Sequence, residues 1–319
     1  MGGRALRRVG TTAAVALLAV VPAAGARSSF DASALDRKLR GEHGLLSVLV
    51  ERDGRVLFER YYRGSARSAR LDVFSVTKSV TSTLIGIALR DGRIRSLDAR
   101  LGEFFPSYVA HARDTRIRRV TLRELLTMTS GYRDVAAVSS DDWLKTQIDR
   151  PLAADPGRSW GYDNGSYHLL SAVLTKVTRS PASAYADRVL FGPLGIPAPQ
   201  WPSDGQGHSL GNTGLRLSSR ELLRIGELYL HGGRWHGRQL VPAGYLRLQT
   251  RTVAAVGGGY GYGYGWWTFS RPPGYGALGY GGQQIAVFPR DRLVVVLTGA
   301  DSRRQHVLDD LVLPALGVR

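Results

Sequence analysis

Near each end of this chain, a pair of β-branched and aromatic runs folds back on a short turn, while most signals between the two pairs are helical. At the start, residues 45–51 and 56–62 flank Arg52-Asp53-Gly54-Arg55. Asp-Gly between two such runs is a strong hairpin signal, because that turn needs two residues that tolerate positive φ. At the end, residues 284–289 and 293–298 repeat the pattern, and 302–313 reads as a closing helix. Between them, Val80, Leu84, Ile87 and Ala88 share one helical face, with Gly92 as a stop. Thr121-Leu122-Arg123-Glu124 is a capping box. Leu169, Leu170, Val173, Leu174 and Val177 line another face, and Ser219–Leu230 forms a third helix ended by Gly232-Gly233. The predicted fold class is α+β. An antiparallel sheet is formed by N- and C-terminal strands with flanking helices, and a mostly helical lobe (roughly residues 95–255) is inserted between them.

The first 26 residues stand apart from this plan. Arg4, Arg7 and Arg8 precede an apolar run over 9–21, and Ala24-Gly25-Ala26 fits a small-x-small cleavage site. The run is too short to span a bilayer. Residues 1–26 therefore read as a signal peptide cleaved near Ala26, and 27–319 as one secreted, extracytoplasmic domain with no membrane span. No cysteine is present, which excludes disulfides, thiolate metal sites, thiol nucleophiles and a lipid-anchored start. The formal charge is +17, and removing the leader would leave +14. The arginines are scattered rather than striped, which argues against nucleic acid. The charge fits a soluble basic enzyme, with electrostatic association to an anionic envelope as the sharper alternative.

Two serines compete as nucleophiles. Gly207-His208-Ser209-Leu210-Gly211 matches the nucleophile-elbow pattern, but that motif needs a strand before it and a helix after it. The stretch 197–205 carries three prolines, and Asn212-Thr213-Gly214 reads as a turn, so 207–211 is expected to be a surface loop. The other candidate is Ser75-Val76-Thr77-Lys78. If a helix begins at Ser75, the hydroxyl and the amine fall one turn apart on one face. The hydroxyl then sits where free N–H groups and the helix dipole favour an oxyanion. To act as a base, Lys78 must be neutral part of the time, and burial favours that form. The bland alternative is a serine N-cap beside a solvated lysine.

Further motifs bear on that choice. Residues 156–165 form a turn-rich stretch that presents Tyr162 and Asn164 just before a helix. A phenol can shuttle a proton, and a carboxamide can hold a lysine and a substrate carbonyl together. Ala277-Leu278-Gly279-Tyr280-Gly281-Gly282 leads into the last hairpin, and its glycines allow close backbone approach. The Gly/Tyr alternation at 257–265 has a period of two, which would place Tyr260, Tyr262, Tyr264 and Trp266 on one side of a strand or loop beside a site.

In this order and spacing, the motifs resemble the serine β-lactamase and penicillin-binding protein superfamily. The nearest likeness is to its class C β-lactamase-like esterases and 6-aminohexanoate-dimer hydrolases. The resemblance spans roughly residues 40–313 and includes Ser75-x-x-Lys78, Tyr162-Asp163-Asn164, 121–131, 193–196, 214–217 and 262–267. It implies that Ser75 is the acylated nucleophile, Lys78 its base and Tyr162 the proton shuttle, with Asn164 orienting Lys78 and the substrate carbonyl. The family's Lys-Thr-Gly motif falls on Ala277-Leu278-Gly279, so the N–H of Tyr280 would join that of Ser75 as an oxyanion hole. The motif's lysine, which pairs with substrate carboxylates, is replaced by Ala277. The implied activity is therefore ester or amide hydrolysis of a small molecule, with aromatic residues in 260–267 lining an apolar pocket. The alternatives are a D,D-peptidase or β-lactamase, or a non-catalytic envelope receptor on the same fold.

Metal hydrolysis and cofactor chemistry find no motif. The seven histidines include no His-Glu-x-x-His pair, each reads as structural, and neither a P-loop nor a dinucleotide fingerprint is present. No oligomeric state is legible.

Overall fold

A computed structural model describes residues 1–2, 30–133, 140–301 and 306–318. The signal-peptide reading of 1–26 lies outside the described residues, apart from the first two. The elements that build and flank the site are α1 (Ala32–Arg40), β1 (Leu45–Arg52), β2 (Arg55–Tyr61), α2 (Val76–Arg90), α3 (Asn164–Thr178) and α4 (Ser219–Leu230). After them come β3 (Ala254–Gly257), β4 (Tyr260–Tyr262), β5 (Trp267–Ser270), β6 (Pro273–Gly279), β7 (Gln283–Phe288) and β8 (Leu293–Gly299).

The eight strands form one antiparallel sheet in the order β2-β1-β8-β7-β6-β5-β4-β3. The two terminal hairpins therefore pair through β1 and β8, the second and third strands of the eight, where Leu49 lies opposite Val296. The Asp53-Gly54 turn has φ of 55° and 72°, as a type I′ hairpin demands. Both faces of the sheet are covered. Val294 and Val296 face the core shared with α2, α3 and α4, while Leu293, Val295 and Leu297 face α1 and the C-terminal helix. Cover on both sides explains why β8 reads as an unbroken apolar run rather than an alternation. Each such fully buried side chain contributes about 1.5–3 kcal/mol.

Between β2 and β3 the chain is mostly helical. It also contributes two small strand pairs, Leu71–Asp72 with Arg216–Leu217, and Arg234–Trp235 with Arg238–Gln239. The Thr121 capping box is formed, with both reciprocal hydrogen bonds present. The closing helix is described from His306 onward: it is a π-helix over Val307–Val312 followed by Leu313–Ala315, and residues 302–305 lie outside the described residues. No helix among the described residues is long and apolar enough to cross a membrane.

Two expectations need correction. The Gly/Tyr alternation is broken by a turn at 263–266, closed by the Gly263 N–H donating to the Trp266 carbonyl at 2.8 Å. The period of two therefore ends at Tyr262. Tyr264 and Trp266 turn into the core, where Trp266 stacks on Tyr229 at 3.9 Å. The 207–211 segment is a loop as expected, with Gly207 exposed, but Ser209 within it is fully buried. Its hydroxyl accepts the N–H of Ser183 at 3.1 Å, and its carbonyl accepts from Ser171 Oγ at 2.6 Å. These contacts make it a packing loop between helices.

Candidate active site

Ser75 occupies the N-cap of α2, immediately after Phe74, whose φ of 46° is a left-handed conformation rare for a bulky residue. Asp72 supports this turn: its Oδ1 accepts the N–H of Phe74 at 2.7 Å and that of Gly214 at 3.3 Å. The kink leaves the Ser75 side chain at the head of the helix. One turn on, Lys78 is 2 % exposed and donates from Nζ to Ser75 Oγ at 2.8 Å. The same amine donates to Asn164 Oδ1 at 2.6 Å and to the Asn212 carbonyl at 3.2 Å.

Tyr162 completes the cluster from a distant loop, with its hydroxyl donating to Ser75 Oγ at 2.8 Å. Lys78 Nζ also stands 4.9 Å from the centre of the Tyr162 ring, within cation–π range. Between Tyr162 and Asn164, Asp163 is fully buried and caps α3 by accepting the Ser166 N–H at 2.6 Å. Arg150 meets Asp163 with two hydrogen bonds of 2.7 and 3.1 Å. Burial would raise the Asp163 carboxyl, but Arg150 and Ser166 outweigh it and hold the group below its ordinary value. Gly165 leaves room for these side chains, since a Cβ would fall 2.0 Å from Gln147 Oε1 and 2.3 Å from an Arg150 nitrogen unless they shifted.

The end of β6 closes the third side. A Cβ on Gly279 would stand 2.3 Å from the Val73 carbonyl and 3.3 Å from Ser75 N. The strand thus runs directly against the head of α2, with Tyr280 the next residue. Tyr280 is 70 % exposed, and its ring meets Phe74 edge-on at 5.5 Å. Ala277, at the position of the family's lysine, is fully buried. The aromatic residue that reaches this cluster is Trp267, one place beyond the alternation. It stacks on Tyr162 at 6.3 Å and 21°, and Trp160 packs against it at 6.2 Å.

The structure thus brings together Ser75, Lys78, Tyr162, Asn164 and the Gly279–Tyr280 backbone, and leaves Ser209 buried elsewhere. Sequence reasoning missed two contributors. Asn212 acts through a main-chain carbonyl, which no side-chain pattern announces. Arg150 is one arginine among many. Trp267 was anticipated as part of the 260–267 stretch, but its place against Tyr162 was hidden by the broken period.

Among the described residues, one trio with metal-ligating side chains converges: His168, Asp204 and His208, with ligand atoms within 4.8 Å of one another. Its three side chains are hydrogen-bonded to one another and to the backbone. The Gly211 N–H faces His168 Nδ1 at 3.4 Å, so the neutral ring carries its proton on Nε2, 2.8 Å from Asp204 Oδ2. His208 Nδ1 approaches the same oxygen at 3.1 Å.

Comparison with known proteins agrees with this fold. Solved structures with the same fold include a candidate 6-aminohexanoate-dimer hydrolase from Bacillus anthracis, with a TM-score of 0.74 at 19% identity over 88% of this chain and 79% of that one. An octameric penicillin-binding protein homologue from Pyrococcus abyssi aligns with a TM-score of 0.72 at 19% identity, covering 91% and 78% of the two chains. EstCE1, a hydrolase with promiscuous acyltransferase activity, aligns with a TM-score of 0.73 at 16% identity, covering 89% and 96%. At such identities the likeness is one of fold. No curated protein matches the chain in sequence. The family model described as Beta-lactamase matches residues 34–313. The chain therefore belongs to the Beta-lactamase family.

Proposed function

We propose that this chain is a serine hydrolase that cleaves a small ester or amide through an acyl-enzyme on Ser75. The observation that carries the reading is the convergence of Lys78 Nζ and Tyr162 Oη on Ser75 Oγ, each at 2.8 Å. A solvated lysine beside a serine N-cap would not be buried, nor would it share the hydroxyl with a phenol.

In the first half-reaction the Ser75 proton passes to neutral Lys78 as Oγ attacks the substrate carbonyl carbon. The N–H groups of Ser75 and Tyr280 are the donors for the developing oxyanion, each worth about 3 kcal/mol of barrier. Tyr162 delivers a proton to the departing alcohol or amine as the C–O or C–N bond breaks and takes the Ser75 proton from Lys78 in its place. In the second half-reaction a water gives its proton back through the same groups and releases the acid. Asn164 holds Lys78 in place for both.

Ala277 leaves no cation where carboxylate-bearing substrates of the wider superfamily would be gripped. Trp267 and Trp160 present apolar surface instead. We therefore assign neutral esters or amides as the substrate class. We read the reaction as extracytoplasmic from the leader-like residues 1–26, and the charge of +14 left without them favours an anionic envelope surface.

The test is hydrolysis of a nitrophenyl ester by the full-length protein and by Ser75→Ala. Turnover by the parent that disappears in the variant supports the reading. Equal turnover overturns it.

A further inference from the structure

We propose that His168, Asp204 and His208 form a brace that positions Lys78 through the main chain at 211–212, which makes His168 a positioning residue for proton transfer at Ser75. The inference rests on the hydrolase reading above and adds to it how the base is aimed.

A neutral amine has two N–H donors and one lone pair. At Lys78, Asn164 Oδ1 and the Asn212 carbonyl provide two acceptors away from Ser75. With both N–H groups engaged there, the lone pair is left for the Ser75 proton. The two acceptors differ in how they are held. Asn164 is the first residue of α3 and is fixed by the helix and its Asp163 cap. Asn212 is in a loop, and its carbonyl needs a separate anchor.

That anchor leads back to α3. Gly211, the preceding residue, donates its N–H to His168 Nδ1 at 3.4 Å, while its carbonyl accepts from Thr81 Oγ1 at 2.8 Å. Its backbone is pressed so closely to α3 that a Cβ would fall 2.1 Å from the Tyr167 carbonyl. His168 lies four residues after Asn164, one helical turn away on the same face. α3 therefore addresses Lys78 twice, directly through Asn164 and indirectly through His168 and Gly211.

Asp204 fixes the other end of the brace. Its Oδ2 accepts from His168 Nε2 at 2.8 Å and His208 Nδ1 at 3.1 Å, and its Oδ1 accepts the N–H groups of Gln206 and His208, both at 2.9 Å. Burial alone would raise this carboxyl, but the hydrogen bonds from His168, His208 and the backbone hold it well below the usual carboxylate range. It stays an anion through neutral pH, and the bonds it accepts persist. Trp143 packs on the His168 ring at 4.2 Å and restricts its orientation further.

The experiment compares kcat and KM for a nitrophenyl ester across pH in the full-length parent, His168→Ala and His208→Ala. Each is normalised to the fraction of protein that a fluorophosphonate labels at Ser75. Loss of the brace is expected to lower kcat by about tenfold to a hundredfold, with KM within about twofold, and to displace the limb of the kcat–pH profile that reports the base. His208→Ala, whose ring is partly exposed, is expected to shift the profile in the same direction by less. It decides the matter if His168→Ala does not fold. Normalised profiles that superimpose on the parent overturn the inference. So does a rise in the parent's unfolding temperature with stoichiometric Zn(II) that is absent in His208→Ala, since the trio would then be a metal site. A parent that fluorophosphonate does not label at all overturns the hydrolase reading, and the brace falls with it.

Discussion

The Tyr162 hydroxyl donates to Ser75 Oγ across 2.8 Å, although 87 residues separate them in the chain. The contact exists because α2 and α3 pack side by side in the core, each with its N-terminus at the same end, so that an N-cap serine and the residue just before a capped helix meet. Removing the phenolic oxygen while keeping the ring tests this bond alone. Tyr162→Phe retains the stacking on Trp267 and is expected to lower kcat for ester hydrolysis by about 10²–10⁴. Unchanged turnover would remove Tyr162 from the proton path.

Gly279 tests the oxyanion hole. A Cβ there meets the Val73 carbonyl at 2.3 Å and approaches Ser75 N at 3.3 Å, so β6 must move away from the head of α2. Gly279→Ala is expected to reduce kcat by about 10²–10³, the scale of one lost oxyanion donor. Steady-state kinetics with a nitrophenyl ester read it. Full activity in the variant would mean that the end of β6 does not serve the oxyanion.

Substrate charge is the third test. With Ala277 buried where a lysine would bind a carboxylate, penicillin is expected to be turned over far more slowly than a neutral ester of similar size. Parallel assays on one preparation compare the two. Efficient penicillin hydrolysis would contradict the assignment of neutral substrates while leaving Ser75 as nucleophile.

Stability should carry a pH signature unrelated to catalysis. Glu51, 3 % exposed on β1, is pushed up to about 8 by burial and then by the neighbouring Glu227 carboxylate, with Arg220 opposing. In the unfolded chain the group ionises near its ordinary 4.5. Between those values the folded state holds the extra proton, so stability is highest at the acid end and declines as pH rises toward about 8. Unfolding temperatures from pH 5 to 8 are expected to fall less steeply in Glu51→Gln than in the parent. Parallel slopes would show that Glu51 does not hold that proton.

Much of the fold was legible in the sequence because its signals are local. The Asp53-Gly54 turn, the Thr121 capping box and Ser219–Leu230 each depend on neighbours within a few residues. The pairing of the two terminal hairpins followed from their pattern. In the site, Ser75 and Lys78 are one helical turn apart and could be read together, and Tyr162 and Asn164 stood out beside a turn. What escaped depends on partners far along the chain or on backbone atoms. The Asn212 carbonyl has no residue-type signature. Arg150 is recognisable only once Asp163 is seen buried beneath it. Trp267 belonged to the 260–267 stretch expected to line a pocket, but its stacking on Tyr162 depends on a four-residue turn that resets the strand period, and the Gly/Tyr run gave no sign of that turn. Ser209 illustrates the converse: its five-residue pattern matched an elbow, yet the fold uses its hydroxyl to cap another helix.

The most direct examination of the central claim is intact-protein and peptide mass spectrometry after treatment with a fluorophosphonate. The mechanism requires a single adduct on the peptide containing Ser75, lost in Ser75→Ala and retained in Ser209→Ala. An adduct that survives Ser75→Ala, or one that maps to Ser209, would contradict it.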